Sequence, residues 1–366
     1  MKDTWYKTLT EKALNNISLT KDECISILEE TSVDLLSLLH AAFRVRHAFY
    51  KRDVSIHILN NGKNGECPED CSYCVQSNAS TSDIVDYPMK SERDILLEAK
   101  TAYESGAFRY CMVFSGRGPS KHRVKKLANL IKQIKDTYPI QVCLSPGLID
   151  EEDAKSLKNA GLDRLNHNLN TSESFYSKIC TTHTYTDRMN TLKNAQKAGL
   201  ETCSGLIVGM GESALDIIEV GFSLKKLQSP SIPVNFYIPV EGAPLAETTD
   251  PFNHLTPEYC LRVLCLMRFL NPKAEIRAAA GREIHLRSLQ SLALYPANSL
   301  FMDGYLNTKG SNMRDTLEMI KDAGFTPKTP FNIDALINGA KNTTHNTSSS
   351  NSTIQLKTAA DLHITT

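Results

Sequence analysis

Three cysteines stand within eight residues, Cys67, Cys71 and Cys74, in the run NNGKNGECPEDCSYCVQS, a C-x3-C-x2-C spacing. Thiolates this close can converge on one compact metal centre, and such soft ligands select zinc, copper(I) or iron-sulfur clusters. Gly62 and Gly65 free the backbone just upstream. A structural metal site is normally closed by protein ligands, whereas a centre short of one keeps a position for water or substrate. On spacing alone two readings stand, an open centre of this kind and a structural zinc site completed by His57 or a distant cysteine. Three further cysteines, Cys111, Cys143 and Cys203, fall singly inside apolar runs, and Arg277 falls inside another. Each cysteine alone reads as packing, since a free Cys commonly behaves as a small buried hydrophobe.

The elements that must position these residues follow a repeating rhythm from Asp53 onward: a short apolar run, a polar loop, then a helix with a start signal. Eight candidate strands begin near residues 53, 109, 140, 164, 201, 233, 275 and 299. Between them Ser91 with Asp94, Asp150 before an acidic turn, and Thr256 followed by Pro257 mark helix starts. Alternating strand and helix implies a parallel sheet with right-handed crossovers, and eight units over about 250 residues fit an α/β fold of the (β/α)8 TIM-type barrel class. An open doubly wound sheet is the rival, disfavoured because the loop after strand 1 carries cysteines rather than GxGxxG. The cysteine loop then lies at the mouth of the barrel, where active sites form. Cys111, Cys143 and Cys203 line the lumen from strands 2, 3 and 5, where they offer negative charge to the otherwise costly guanidinium of Arg277. Residues 1–52 read as an N-terminal helical segment, with a Thr20/Glu23 capping box, and 53–325 as the barrel. Residues 326–366 read as a largely disordered C-terminal tail centred on KNTTHNTSSSNST at 341–353, expected to be dispensable for activity after Lys341.

Composition narrows the partners. Lys plus Arg and Asp plus Glu are both 41, so no net field draws nucleic acid or anionic lipid. The longest apolar stretch, Tyr259 to Leu270, is broken by Arg262 and Arg268, too short for a membrane span. The first residues lack a secretory pattern, which makes a cytoplasmic location the default expectation and keeps the ten cysteines as thiols.

The loop string C-P-E-D-C-x-Y-C resembles that of the radical S-adenosylmethionine enzymes, and specifically the biotin synthase family, over Asp53 to Phe325. The resemblance implies that Cys67, Cys71 and Cys74 hold a 4Fe-4S cluster whose fourth iron is chelated by S-adenosyl-L-methionine, with Tyr73 beside the cofactor. By the same likeness Cys111 in FRYCM, Cys143 in VCL, Cys203 in CSG and Arg277 in IR hold a 2Fe-2S cluster, the sulfur source for converting dethiobiotin to biotin. Asn168 and Asn170 in NHNLNT would face the cofactor, Asn168 also the substrate. Leu165 and Asn170 depart from the family's aromatic and Asp, although an amide oxygen still accepts a ribose hydroxyl. Backbone near Ile207 and Val208 would meet the adenine, and Asn235 the ureido ring of dethiobiotin. His183 stands where many relatives have Arg and is assigned no catalytic duty; Arg282 and Glu283 read as an ion pair. Cys24, Cys180, Cys260 and Cys265 read as packing. The family implies a sulfurtransferase, an electron donor of flavodoxin or ferredoxin type, and a homodimer. Against it stand a superfamily relative with another substrate and a zinc-stabilised binding protein.

Overall fold

The computed structural model describes residues 3–340 and 354–364. Three helices come first, α1 (Asp3–Leu14), α2 (Lys21–Glu29) and α3 (Leu35–Tyr50). Thr20 caps α2 with the expected reciprocal bond to Glu23. Strands and helices then alternate: β1 (Asp53–Lys63), α4 (Glu92–Glu104), β2 (Arg109–Phe114), α5 (Lys121–Thr137), β3 (Gln141–Ser145), α6 (Glu151–Asn159) and β4 (Arg164–Asn166). They continue through α7 (Glu173–Tyr176), α8 (Tyr185–Lys197), β5 (Glu201–Cys203), β6 (Leu206–Val208), α9 (Ala214–Lys226), β7 (Ser231–Phe236), α10 (Pro257–Leu270), β8 (Glu275–Ala278), α11 (Arg282–Leu286) and β9 (Ser299–Met302). Ser91, Asp150 and Thr256 each cap the helix that follows, as their side-chain chemistry predicts.

Neighbouring strands pair in parallel and β9 returns to β1, closing the ring. β5 and β6 are two halves of one barrel strand, broken at Gly205, where a Cβ would meet the Pro233 carbonyl oxygen at 1.8 Å. Counting them as one gives the eight-stranded (β/α)8 barrel. Chain order does not end there. After α12 (Met313–Asp322), β10 (Thr326–Pro327) pairs with the start of β1, and α13 (Ile333–Gly339) packs Ile337 into the core beside α12. The fading pattern after Phe325 therefore conceals ordered structure through 340, because these elements are short and half-exposed and leave a weak periodic signal. The run 341–353 lies outside the described residues.

The N-terminal helices explain an oddity of α10, whose residues from Cys260 to Leu270 are all buried. An outer barrel helix normally keeps a wet face; here α1, α2 and α3 cover it, so the helix is apolar all round. The two arginines that interrupt its sequence find backbone partners. Arg262 donates to the carbonyls of Ile27, Glu30 and Val33 at 2.9–3.1 Å, tying α10 to the turn after α2. Arg268 donates to Pro296, Pro272 and Ala274 carbonyls and to Asn298 Oδ1. Arg46, fully buried on α3, spans Ala297, Lys51 and Asp53 carbonyls in the same way. Replacing Arg46 by Met leaves those oxygens without their charged donor; unfolding in denaturant should show a loss of about 2–4 kcal/mol with an unchanged slope.

Candidate active site

β1 delivers the chain to the barrel mouth and into the cysteine loop. Gly65 turns there at φ +72°, against Asp86, in a conformation that side chains rarely adopt. The loop is pinned to the segment before α8. Asp70 accepts from the backbone N–H groups of Thr181 and Thr182 at 2.9 and 3.2 Å, and Ser72 N–H donates to Ile179. Burial works to raise the Asp70 carboxyl, but the Thr181 hydroxyl and the Thr181 and Thr182 N–H groups carry it well below the usual carboxylate range. Cys67, Cys71 and Cys74 all line one cavity of about 310 Å³ that descends into the barrel. Three thiols from one short loop with no fourth cysteine inside it fit a cluster that keeps one iron for an outside ligand.

Deeper in the same cavity, Cys111 on β2 and Cys143 on β3 are direct register partners. Cys203 lies fully buried on β5, and the three thiols hydrogen-bond in series, Cys111 to Cys143 to Cys203. The bond with Cys111, helped by burial, pushes Cys143 up to about 12 although its bond with Cys203 works the other way, and the bond with Cys143 together with burial pushes Cys203 up to about 12. Burial also works against ionising Cys111, yet its bond with Cys143 and the charges of Arg277 and Arg109 carry it below its ordinary value. Arg277 Nη1 stands 3.6 Å from Cys203 Sγ, Nη2 donates to Ser231 Oγ at 2.9 Å, and the buried Nε has no hydrogen-bond partner. An orphan guanidinium N–H beside three buried thiols is what an anionic cluster would satisfy, so the donor set fits a second iron-sulfur group.

The thiols are not the only compensation for Arg277. Glu275, two residues back on β8, pairs with it directly. Glu275 also accepts from Arg164 Nη1, Ser231 Oγ and Ser299 Oγ, each at 3.2 Å, and lies 3.2 Å from His57 Nε2. Burial alone would raise its carboxyl; the guanidinium charges of Arg164 and Arg277 hold it well below its usual value. His57, pushed down to about 3 by burial and by Arg277, is neutral near pH 7 and sits 3.7 Å from Cys111 Sγ. This polar floor, and Glu275 in particular, escapes sequence reading because its members come from five strands.

Between the two thiol sets lie the remaining candidates. Asn170 adopts φ +71°, a region that Asn tolerates better than most residues, and donates to Tyr73 Oη. Its backbone bridges to Gly205 and Ile207, and Asn168 Oδ1 accepts from Gly205 N–H at 3.1 Å. Ile207 lines the cavity, whereas Val208, the next residue along the strand, turns its side chain into the outer core. Asn235 also lines the cavity; it donates to Leu206 O and accepts from Ala280 N–H, leaving one N–H and one lone pair.

Three functional candidates were not singled out from sequence. Arg188 lines the cavity and donates to Asn168 O at 2.9 Å, to Tyr176 Oη and to His183 Nε2 at 2.8 Å, with Tyr73 Oη at 3.4 Å. Among the described residues no carboxylate pairs with it. The available signal was a cation in the first turn of α8, where the helix dipole disfavours one. His183, assigned no duty, links Arg188 to Glu69, whose Oε2 is 2.6 Å from Nδ1. Cys180, read as packing, stands 3.6 Å from Cys71 Sγ and 3.1 Å from His183 Nδ1, so those three side chains cluster within 4.8 Å. By contrast Cys24, Cys260 and Cys265 pack in the outer core as expected, and Arg282 does pair with Glu283.

Residues 64–221 match the Radical SAM superfamily model, and 233–326 the Biotin and Thiamin Synthesis associated domain. The chain superposes on methylornithine synthase with a TM-score of 0.75 at 20% identity, over 90% of this chain and 99% of that one. On the FeFe-hydrogenase maturase HydG from Carboxydothermus hydrogenoformans the score is 0.73 at 17% identity, over 90% and 80%. The fold and the cysteine loop thus define a radical S-adenosylmethionine barrel. Biotin synthase from Magnetococcus marinus is 54% identical over 82% of this chain and 92% of its own. The protein of that name from Bacillus velezensis is 44% identical over 92% and 98%. The chain belongs to the biotin synthase family.

The Asn170 geometry is testable without any cofactor. Asn170→Ala should cost about 1–2 kcal/mol through the lost Tyr73 bond and the left-handed φ, and Asn170→Gly should recover the conformational part, both read from unfolding midpoints.

Proposed function

We propose that this chain converts dethiobiotin to biotin within the 310 Å³ cavity, with Cys67, Cys71 and Cys74 holding a 4Fe-4S cluster and Cys111, Cys143, Cys203 and Arg277 a 2Fe-2S cluster. The observation that carries the reading is the placement of two separate thiol sets in one barrel, a loop set at the mouth and a strand set at the floor, with hydrogen-bonding side chains between. Once bound, the first cluster with S-adenosyl-L-methionine supplies a 5′-deoxyadenosyl radical, and the second supplies sulfide.

The residues divide the remaining work. Arg188, a cavity-lining cation with no carboxylate partner among the described residues, suits the carboxylate of the cofactor's methionine end. Tyr73, Asn168 and Asn170 form a linked polar wall suited to a ribose, and Ile207 offers an apolar surface to a flat base. Asn235 keeps one donor and one acceptor, the complement of a ureido N–H and carbonyl. Glu275 and Ser231 fix the Arg277 fork beneath the thiols. Phe301 and Tyr305 meet edge-on in the cavity lining beside the strand thiols, an aromatic surface suited to keeping water from a reactive radical. The same reading includes an electron donor of flavodoxin or ferredoxin type and a homodimeric assembly.

The test is anaerobic reconstitution with iron and sulfide, followed by dethiobiotin, S-adenosyl-L-methionine and reductant, with products followed by mass spectrometry. Biotin with 5′-deoxyadenosine is expected; deoxyadenosine without biotin moves the substrate assignment to another member of the superfamily. Cys67→Ala, Cys71→Ala or Cys74→Ala should abolish deoxyadenosine formation. Cys111→Ala should retain deoxyadenosine while biotin falls by about a hundredfold or more, because only sulfur delivery is removed.

A further inference from the structure

The described chain resumes at Ile354 and runs to Ile364, and this segment is docked. Lys309 N–H donates to Gln355 O at 2.9 Å, Lys357 N–H donates to Asn307 O at 2.8 Å, and Thr308 and Leu356 form an antiparallel bridge. Lys309 Nζ pairs with Asp361 Oδ2 at 2.9 Å, with both side chains about three-quarters buried. Leu362, 4% exposed, closes the strip over a small cavity lined by Tyr110 and Met302.

The loop that receives this strip is a wall of the active cavity. Residues Tyr305 to Thr308 line that cavity, Tyr305 stacks edge-on against Phe301, and Asn307 exchanges two amide hydrogen bonds with Asn64, at 2.7 and 2.9 Å. Asn64 stands three residues before Cys67. The wall is strained: Asp303 and Leu306 both hold positive φ, +65° and +46°, around Gly304 at +79°. A bulky Leu in the left-handed region costs about 1–2 kcal/mol and persists only where its surroundings over-determine it. On one side those surroundings are the cavity, and on the other the C-terminal strip.

We propose that residues 355–362 are a positioning element of the active site, an added strand that holds the strained Tyr305–Thr308 wall in its substrate-ready shape. This rests on the reading of the large cavity as the dethiobiotin site. It reverses the expectation that the chain beyond Lys341 is dispensable. The barrel closes without the strip, so its removal acts on the wall rather than on the fold.

The experiment compares full-length wild type, Leu362→Asp, the conservative Leu362→Met and the milder Asp361→Ala. In cluster-free protein, amide hydrogen exchange over 303–309 should quicken about tenfold in Leu362→Asp, less in Asp361→Ala and not at all in Leu362→Met, while the β2 and β3 amides keep their protection. In reconstituted enzyme, KM for dethiobiotin should rise about fivefold in Leu362→Asp, with kcat and the KM for S-adenosyl-L-methionine within about twofold of wild type. Unchanged exchange at 303–309 overturns the proposal, as does a loss of protection across the whole barrel. Faster loop exchange with an unchanged dethiobiotin KM overturns it as well. If wild type makes no biotin but the exchange pattern appears as expected, the substrate reading falls while the support of the wall stands.

Discussion

Charge buried inside a closed barrel is the constraint to which the rest of this structure answers. Arg109, Arg164 and Arg277 are all buried in or beside the lumen, and Glu275 is the buried carboxylate set against them, with Glu201 pairing to Arg164 from a half-exposed position. Isolated ions in such a place are expensive, so they must be netted together. Glu275 does this from the seventh barrel strand by reaching side chains on β1, β4, β7 and β9. A surplus of positive charge remains, with Nε and Nη1 of Arg109 lacking hydrogen-bond partners. That surplus favours anionic sulfur at the floor, and together with the bond from Cys143 it carries Cys111, alone of the three floor thiols, below its ordinary value.

Register carries this arrangement. Strand side chains alternate between lumen and outer core, so a slip of one residue in β2 would turn Cys111 away, and the same slip in β3 would turn Cys143 away. The outward residues bury themselves against the helices, as Tyr110 and Met112 do on β2 and Val142 and Leu144 on β3. Hydrophobic packing outside and charge netting inside thus select the same register. The N-terminal helices extend the logic outward: they bury α10 from Cys260 to Leu270, and three arginine forks satisfy carbonyls that helix ends and turns would otherwise leave unmet.

The mouth of the cavity is built differently, from loops rather than strands. Loops hold shape only where other groups fix them, and here the fixing is polar. Asp70 and Glu69 bind the cysteine loop to the Thr181–His183 turn, His183 passes to Arg188, and Arg188 reaches the backbone of Asn168. Side chains that would touch a cofactor are therefore coupled to the loop that would hold the cluster.

Spacing and periodicity were enough for the eight strand-helix units, the capped helix starts and both thiol sets, since each rests on neighbours in sequence or on a strong local pattern: Cys67, Cys71 and Cys74 share one loop, and Cys111, Cys143 and Cys203 each sit in an unmistakable strand. The likeness to a known family then supplied roles that composition does not carry. What only the tertiary structure decided involves partners far apart in the chain. Glu275 looked like the first residue of a strand, Cys180 like packing, His183 like a bystander, and the residues after Phe325 like a tail. Their meaning depends on contacts across tens to hundreds of residues, with His57, Cys71, Glu69 and Asn307. Local sequence fixes which conformations a segment prefers, but the energy of a buried charge or a strained loop depends on what the closed barrel brings against it.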